Sequence, residues 1–325
     1  MNLCYIAAAD GVYTYHLNET GTLAFFDRVA LDRPMYFAHD GGRLFVLLRS
    51  PDETGNSAVV PYFCDPQGLP IDPCPAMTTG GLVGCHLSVL DNVVYAANYS
   101  SGSIARIPLD GMTALVTHKG HGVRPDRQEM PHTHFIAPLP GEQYLAVCDL
   151  GLDRVFVYDR DLQPVSAAVF PDGCGPRHLC CSPDGRYVYC ANELSSTVSV
   201  LSWDRERGVL SHLSHVSTRA ANHGEHANYP AAIRCDGDFV YVSNRGDDDI
   251  AVFRIDCDGN VLTGIANLPT GGAWPRDMWV QGDILYCTNE HTDSVTVLRM
   301  NADRTSAVSV QTVTDIPAPI AVLIV

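Results

Sequence analysis

The feature that most constrains this chain is that it repeats itself. Segments running from Cys85-His86-Leu87 to Asn98, His134-Phe135-Ile136 to Asp149, Arg177-His178-Leu179 to Asn192, Ala231-Ala232-Ile233 to Asn244 and Arg276-Asp277-Met278 to Asn289 align, with closing residues about 43 to 52 positions apart. That period belongs to a unit of four short strands. In the copy containing Arg177, strands are expected over 178–182, 187–191, 197–203 and 209–216, rich in Val, Tyr and Thr, with Pro183-Asp184-Gly185 as the first turn. A less regular copy runs from Pro34-Met35-Tyr36 to Arg49. Residues 317–325 read as a first strand without its continuation, which stands at the other end of the chain in residues 3–8 and 12–15. No stretch keeps a capped 3.6-residue apolar period, so helices are expected to be scarce. Four-stranded sheets repeated radially make a β-propeller, and joining the last strand to the first sheet closes the ring and hides two sheet edges. The expectation is an all-β, seven-bladed β-propeller of four-stranded blades, one domain over residues 1–325, closed by the C-terminal strand joining the N-terminal blade.

Composition narrows the partners. Twenty-one basic residues against 37 acidic ones give a net charge of −16, which argues against nucleic acid and anionic membranes. Lys119 is the only lysine, leaving almost no candidate for Schiff-base chemistry. There is no apolar run of about eighteen residues and no basic region before an apolar core at the N-terminus, so neither a membrane span nor a secretory signal is expected. The 12 cysteines are scattered, several inside apolar β runs such as those of Cys148, Cys190 and Cys287, and a reducing cytoplasm is the expected location. Gly-x-Ser-x-Gly, P-loop and dinucleotide fingerprints are absent.

In an antiparallel blade with strands A to D, the start of A, the end of B and the D-to-A link lie on one face, with A lining the channel. Strand A starts carry His134, Arg177 and Arg276, with His86, His178 and Asp277 one step later. Strand B ends carry Glu193, Arg245 and Glu290-His291, and the two long links, about 119–133 and 217–229, add His121, Arg124, His132, His223, Glu225 and His226. Eight of 13 histidines fall on this face, together with arginines suited to grip a carboxylate or phosphate. Glu193, flanked by arginines, is expected to stay ionised and to serve as a base. Plainer readings stand beside these. The arginines and Glu193 could bridge blades, the Asn and Asp at strand B ends could bond the following turn, and His86 and His178 could pack between blades. His132-x-His134, or His223-x-x-His226 with Glu225, could hold a metal, but no third ligand stands at a diagnostic spacing and none is expected.

These residues carry a resemblance. Gly175-Pro176-Arg177-His178-Leu179, Ser182-Pro183-Asp184-Gly185-Arg186 and Asn192-Glu193-Leu194-Ser195-Ser196 resemble the seven-bladed propeller lactonases, the propeller-type 6-phosphogluconolactonases related to fungal 3-carboxy-cis,cis-muconate lactonizing enzyme. Pro131-His132-Thr133-His134, Asp149-Leu150-Gly151, Ser243-Asn244-Arg245-Gly246 and Trp274-Pro275-Arg276-Asp277 extend it over the whole chain. The resemblance implies catalytic roles for His134, Arg177, Glu193 and Arg245, with His132 as the alternative histidine; substrate contacts are expected from His132, Arg276, His86 and His226. It implies cofactor-free hydrolysis of a small anionic lactone, 6-phosphogluconolactone first. A lactonizing or isomerising enzyme for a different lactone, and a non-catalytic binding propeller, are the other readings. The chain departs from the pattern at Cys235-Asp236-Gly237 and at Gly282-Asp283, where the usual turn is shorter.

Overall fold

The computed structural model describes residues 3–50 and 53–325 as seven antiparallel sheets arranged in a ring. Blade 1 is composite. Its strand A is Ala321–Ile324 from the C-terminus, followed by Leu3–Ala8, Gly11–Leu17 and Leu23–Ala30. Ile324 pairs with Cys4 and Ala321 with Ala7, so the ring closes through main-chain hydrogen bonds.

Blade 5 places its strands at Pro176–Cys181, Tyr187–Asn192, Thr197–Asp204 and Val209–Ser217, within two residues of the sequence expectation. Blade 2 departs from the four-stranded pattern. Its nine-residue third strand, Asn56–Cys64, pairs with both Pro70–Pro73 and Met77–Leu82, so two short strands share the place of strand D. Among the described residues the one helical element is a 3-10 turn, Glu290–Thr292.

The core lies between blades, where both faces of the inner strands are buried. Phe135, Cys148, Val155 and Val157 of blade 4 pack on Leu179, Val188, Cys190 and Trp203 of blade 5. At the closure Cys4, Ile6, Tyr13 and Val322 of blade 1 pack on Tyr286, Val295 and Val297 of blade 7. A repeated tyrosine on strand B adds a polar clip, because a buried hydroxyl needs a partner. Tyr95 donates to Arg160 O at 2.8 Å, Tyr189 to Gly259 O at 2.8 Å and Tyr286 to Gly21 O at 2.7 Å, each in the C-to-D turn of the next blade.

The amide or carboxylate closing strand B is also a clip, and here the expected bond to the following turn needs correcting. Asn192 donates to the Thr197 and Ser199 hydroxyls of strand C at 2.9 and 2.8 Å. Asn289 donates to Thr296 at 2.9 Å. Asp149 does accept from the Gly151 amide, at 3.0 Å. It also holds the His118 ring at 2.6 Å, which in turn meets the Tyr158 hydroxyl at 2.9 Å.

Candidate active site

One irregularity, repeated around the ring, builds the mouth of the channel. In six blades the A–B register slips near the start of strand A, leaving extra residues unopposed. Such a bulge breaks the alternation of the strand and re-aims a side chain. The bulged residues are Met35, Cys85, His134, Arg177, Ala231 and Arg276, and Ile320 takes the corresponding place in blade 1. The residue just before strand A is left-handed at Arg33, Val83, Gly175 and Trp274. At Gly175 a Cβ would come 2.5 Å from Leu194 Cγ, so that blade requires glycine. The residue at or just past the end of strand B takes the same place in each of the seven blades: Ala9, Arg49, Tyr99, Leu150, Glu193, Arg245 and Glu290.

Where these two sets of residues meet in blades 4 to 6, charges converge. Glu193 Oε2 lies 3.0 Å from Arg177 Nε and 2.7 Å from Arg245 Nη2, while its Oε1 is held by Arg127 from the long link of residues 118–132. Arg177, Glu193 and Arg245 are buried. Three guanidiniums around one carboxylate leave a net charge of about +2. Several of their donors have no acceptor in the protein. Arg177 Nε and Arg245 Nη2 stand near Glu193 without a well-directed hydrogen bond, and Arg177 Nη1 and His134 Nδ1 have no partner. Buried donors are normally satisfied, so this is an arrangement waiting for an anionic or polar guest.

The titration behaviour follows from the same charges. Burial alone would lift the Glu193 carboxyl, but Arg245, Arg177, His134 and Arg127 outweigh it and hold the group well below the usual carboxylate range. Burial and then Arg245 push Arg177 down to about 9, which leaves it charged at neutral pH. Burial, reinforced by Arg177, holds His134 well below its ordinary value, with Glu193 opposing. His134 is therefore a neutral imidazole beside a fixed anion.

Below this tier the following residues of strand A close the channel. The His86 and His178 rings lie 5.2 Å apart, His134 and His178 5.4 Å, and Tyr36 and His178, three blades apart, 6.0 Å. His86 packs between its neighbouring blades, on Tyr36 at 4.3 Å and Phe135 at 4.1 Å, and also meets His178 across the channel. A narrow cavity is lined by Met35, Tyr36, Cys85, His134, Arg177, His178, Arg276, Asp277 and Ile320.

The expected site residues therefore divide. His134, Arg177, Glu193 and Arg245 come together, and Arg276 lines the same cavity while pairing with Glu290 at 2.9 Å. His86 lies one tier down, its Nδ1 accepting from the Ile136 amide at 3.4 Å. His132 stacks on Tyr99 at 4.4 Å and meets Glu129 at 3.2 Å. The bulge at His134 removes the simple alternation that would have aligned the two histidines. His226 sits at the outer rim, 2.6 Å from Asp247. His121 and His223 are exposed, and His291 stacks on Trp274 at 4.7 Å. Among the described residues no group of three or more His, Cys, Asp or Glu side chains forms a metal-ligating cluster.

Arg127 was missed by the sequence reading. Arg124, singled out from the same link, ends on Leu194 O at 2.8 Å, and the Glu193 partner lies three residues on. The signal was only that a long link held two arginines. The link is pinned by the fully buried Gln128, which donates to Leu150 O at 2.9 Å, so Arg127 is delivered by ordered chain.

Comparison with known proteins agrees with this architecture. The sequence pattern described as "Lactonase, 7-bladed beta-propeller" matches residues 4–324. The chain is 30% identical over 284 residues to a 6-phosphogluconolactonase of Bacillus subtilis, covering 83% of this chain and 81% of that one. It is 34% identical over 285 residues to an uncharacterized protein of Lactococcus lactis subsp. cremoris, covering 82% and 81%. A crystal structure of a protein from Lactobacillus plantarum superposes with a TM-score of 0.89 at 31% identity, over 100% of this chain and 99% of that one. The periplasmic gluconolactonase of Pseudomonas aeruginosa shares the fold with a TM-score of 0.89 at 24% identity, over 100% and 99%.

Proposed function

Since the chain belongs to the seven-bladed β-propeller lactonase family, we propose that it hydrolyses the lactone of an anionic sugar acid, with 6-phosphogluconolactone, giving 6-phosphogluconate, as the first substrate to test. One observation carries the reading: a buried carboxylate ringed by three guanidiniums, two of which keep unsatisfied donors beside a neutral histidine. The 6-phosphogluconolactonase name of the Bacillus relative supports the choice of substrate. All 12 cysteines are free thiols, which supports a reducing compartment.

The chemistry follows from the charges and uses no cofactor. Attack of water on the lactone carbonyl places negative charge on the carbonyl oxygen. The unpartnered Nη1 of Arg177 is preorganised for that oxyanion, with the Arg245 charge beside it, such a donor contributing about 10²–10³ in rate. Water must lose a proton as it adds. Neutral His134 has an unpartnered Nδ1 to accept it, and the Glu193 charge stabilises the imidazolium formed. As the intermediate collapses, the ring C–O bond breaks and the imidazolium returns its proton to the leaving alkoxide. Glu193, held low by its arginines, is the electrostatic anchor of this scheme, with His134 as the base.

A panel of phosphorylated and unphosphorylated sugar lactones and muconate-type lactones, followed by pH-stat, tests the reading. Turnover of 6-phosphogluconolactone is expected. Turnover of a muconate-type lactone alone would replace the substrate, and no turnover of any lactone would refute the enzyme.

A further inference from the structure

The mouth has a second lobe that the reaction scheme does not use. On the side of blades 7, 1 and 2 a cavity of about 150 Å³ is lined by Arg33, Arg49, Arg276 and Glu290 over an apolar floor that includes Met35 and Ile320. Met35, Arg276 and Ile320 also line the cavity beside Arg177, so the two spaces adjoin across these side chains. Arg49 occupies in blade 2 the place that Glu193 occupies in blade 5, and the repeat therefore delivers it to the mouth by the same geometry. Each amide bonds the carbonyl before strand A of its own blade, Arg49 to Arg33 at 3.3 Å and Glu193 to Gly175 at 2.8 Å.

The charges of this lobe are poorly matched. Arg49 makes no ion pair or side-chain hydrogen bond with any described residue. Arg33 is half exposed and meets only Asp32, itself 70% exposed, at 3.4 Å. Arg276 pairs with Glu290. In a protein of net charge −16, this cationic recess adjoins the Glu193 cluster, and Arg276 adds its charge to the burial that lowers the proton affinities of Arg177, Arg245 and His134.

Resting on the lactonase reading above, we propose that Arg33, Arg49 and Arg276 form a distal subsite for a second anionic group of the substrate, a phosphoryl or a terminal carboxylate, at the end of the chain remote from the lactone carbonyl. The apolar floor lies under the carbon chain between the two anionic ends, and the guanidinium of Arg49 offers the bidentate face that such oxyanions take. The selectivity of the enzyme for doubly anionic sugar acids then resides mainly in Arg33 and Arg49 of blade 2, on the far side of Arg276 from the reacting atoms.

Calorimetric titration with the acid products tests this without relying on turnover. Wild-type protein is expected to bind 6-phosphogluconate at least tenfold more tightly than gluconate. Arg49→Gln should bring the two within threefold while leaving gluconate affinity unchanged, and Arg33→Ala should lose less. Arg49→Lys, which keeps the charge, should recover part of the preference, and melting curves confirm that each variant folds. Glucarate separates the two anions: a gain equal to that of 6-phosphogluconate assigns the lobe to any second anion, and a gain confined to 6-phosphogluconate assigns it to phosphoryl. Equal affinities in the wild type, or a preference surviving in Arg49→Gln, would overturn the subsite. Intact binding preference in a protein that opens no lactone would instead refute the lactonase reading and leave the subsite standing.

Discussion

Two buried charge clusters lie one above the other in this channel, and they are built differently. The lower one is balanced. Arg234 donates to Asp277 Oδ1 at 2.7 Å and to Ile233 O at 2.9 Å, and Asp277 Oδ2 accepts from the Val322 amide at 3.1 Å. Burial works against the Arg234 charge, but Asp277 and then Tyr36 outweigh it and hold the guanidinium charged. The upper cluster sets three guanidiniums on Glu193 and leaves donors over. Strand A residues one step apart in sequence feed both, Arg276 above and Asp277 below, through the bulge. A matched ion pair in this channel closes it; a cluster with surplus donors can take a guest. Burial and charge alone would not have separated the two.

The contrast can be broken by experiment. Arg234→Met leaves Asp277 buried without its cation and should cost about 3 kcal/mol of stability, read by urea denaturation, while the folded fraction keeps its turnover within threefold. A large loss of turnover would make the lower cluster part of the chemistry. Arg177→Ala should lower kcat about 10²–10³-fold with a smaller change in KM; equal losses in kcat/KM through KM alone would reduce Arg177 to ground-state binding. The third expectation concerns pH. Burial, reinforced by neighbouring arginines, holds His86, His134 and His178 well below 6.5 in the folded protein. Below about pH 6.5 the unfolded chain takes up protons that the folded one refuses, so stability should fall with pH by about 1.4 kcal/mol per pH unit for each histidine. Glu193, whose carboxyl is also held low, contributes with the same sign in a more acidic window: its contribution is complete above the ordinary glutamate range and is lost only in stronger acid. His178→Phe should therefore remove one proton from the slope measured between about pH 6 and 5, and an unchanged slope would show that His178 does not titrate this way. Arg127→Ala, at the more exposed end of the cluster, should lower kcat about tenfold, a factor worth about 1.4 kcal/mol; no change would confine the working surplus to Arg177 and Arg245.

Much of the frame was legible in the sequence because blades 3 to 7 carry Asn or Asp at the end of strand B, and in three of them, at Asn98, Asn192 and Asn289, the side chain clips the hydroxyls that follow. The bulges were not legible. Their residues are Met35, Cys85, His134, Arg177, Ala231 and Arg276, with no glycine or common polarity to mark them, yet they decide which side chains enter the mouth. This is why His132 and His134 do not act as an alternating pair and why His86 and His178 meet in the channel. The convergence of His134, Arg177, Glu193 and Arg245 followed from the ring and from family resemblance. Arg127 did not, because a link carries no period from which to place its side chains. The divided fourth strand of blade 2 was hidden for the same reason, in irregular chain between Cys64 and Met77.

The central claim is that the surplus of positive charge on Glu193 organises lactone hydrolysis. The most direct measurement is kcat for 6-phosphogluconolactone in wild type and Glu193→Gln, followed by pH-stat under conditions where both are folded by near-ultraviolet circular dichroism. A loss of at least about 10³-fold is predicted, since the arginines lose the anion that positions them and His134 loses the charge that stabilises its protonated form. A rate within tenfold of wild type would contradict the account.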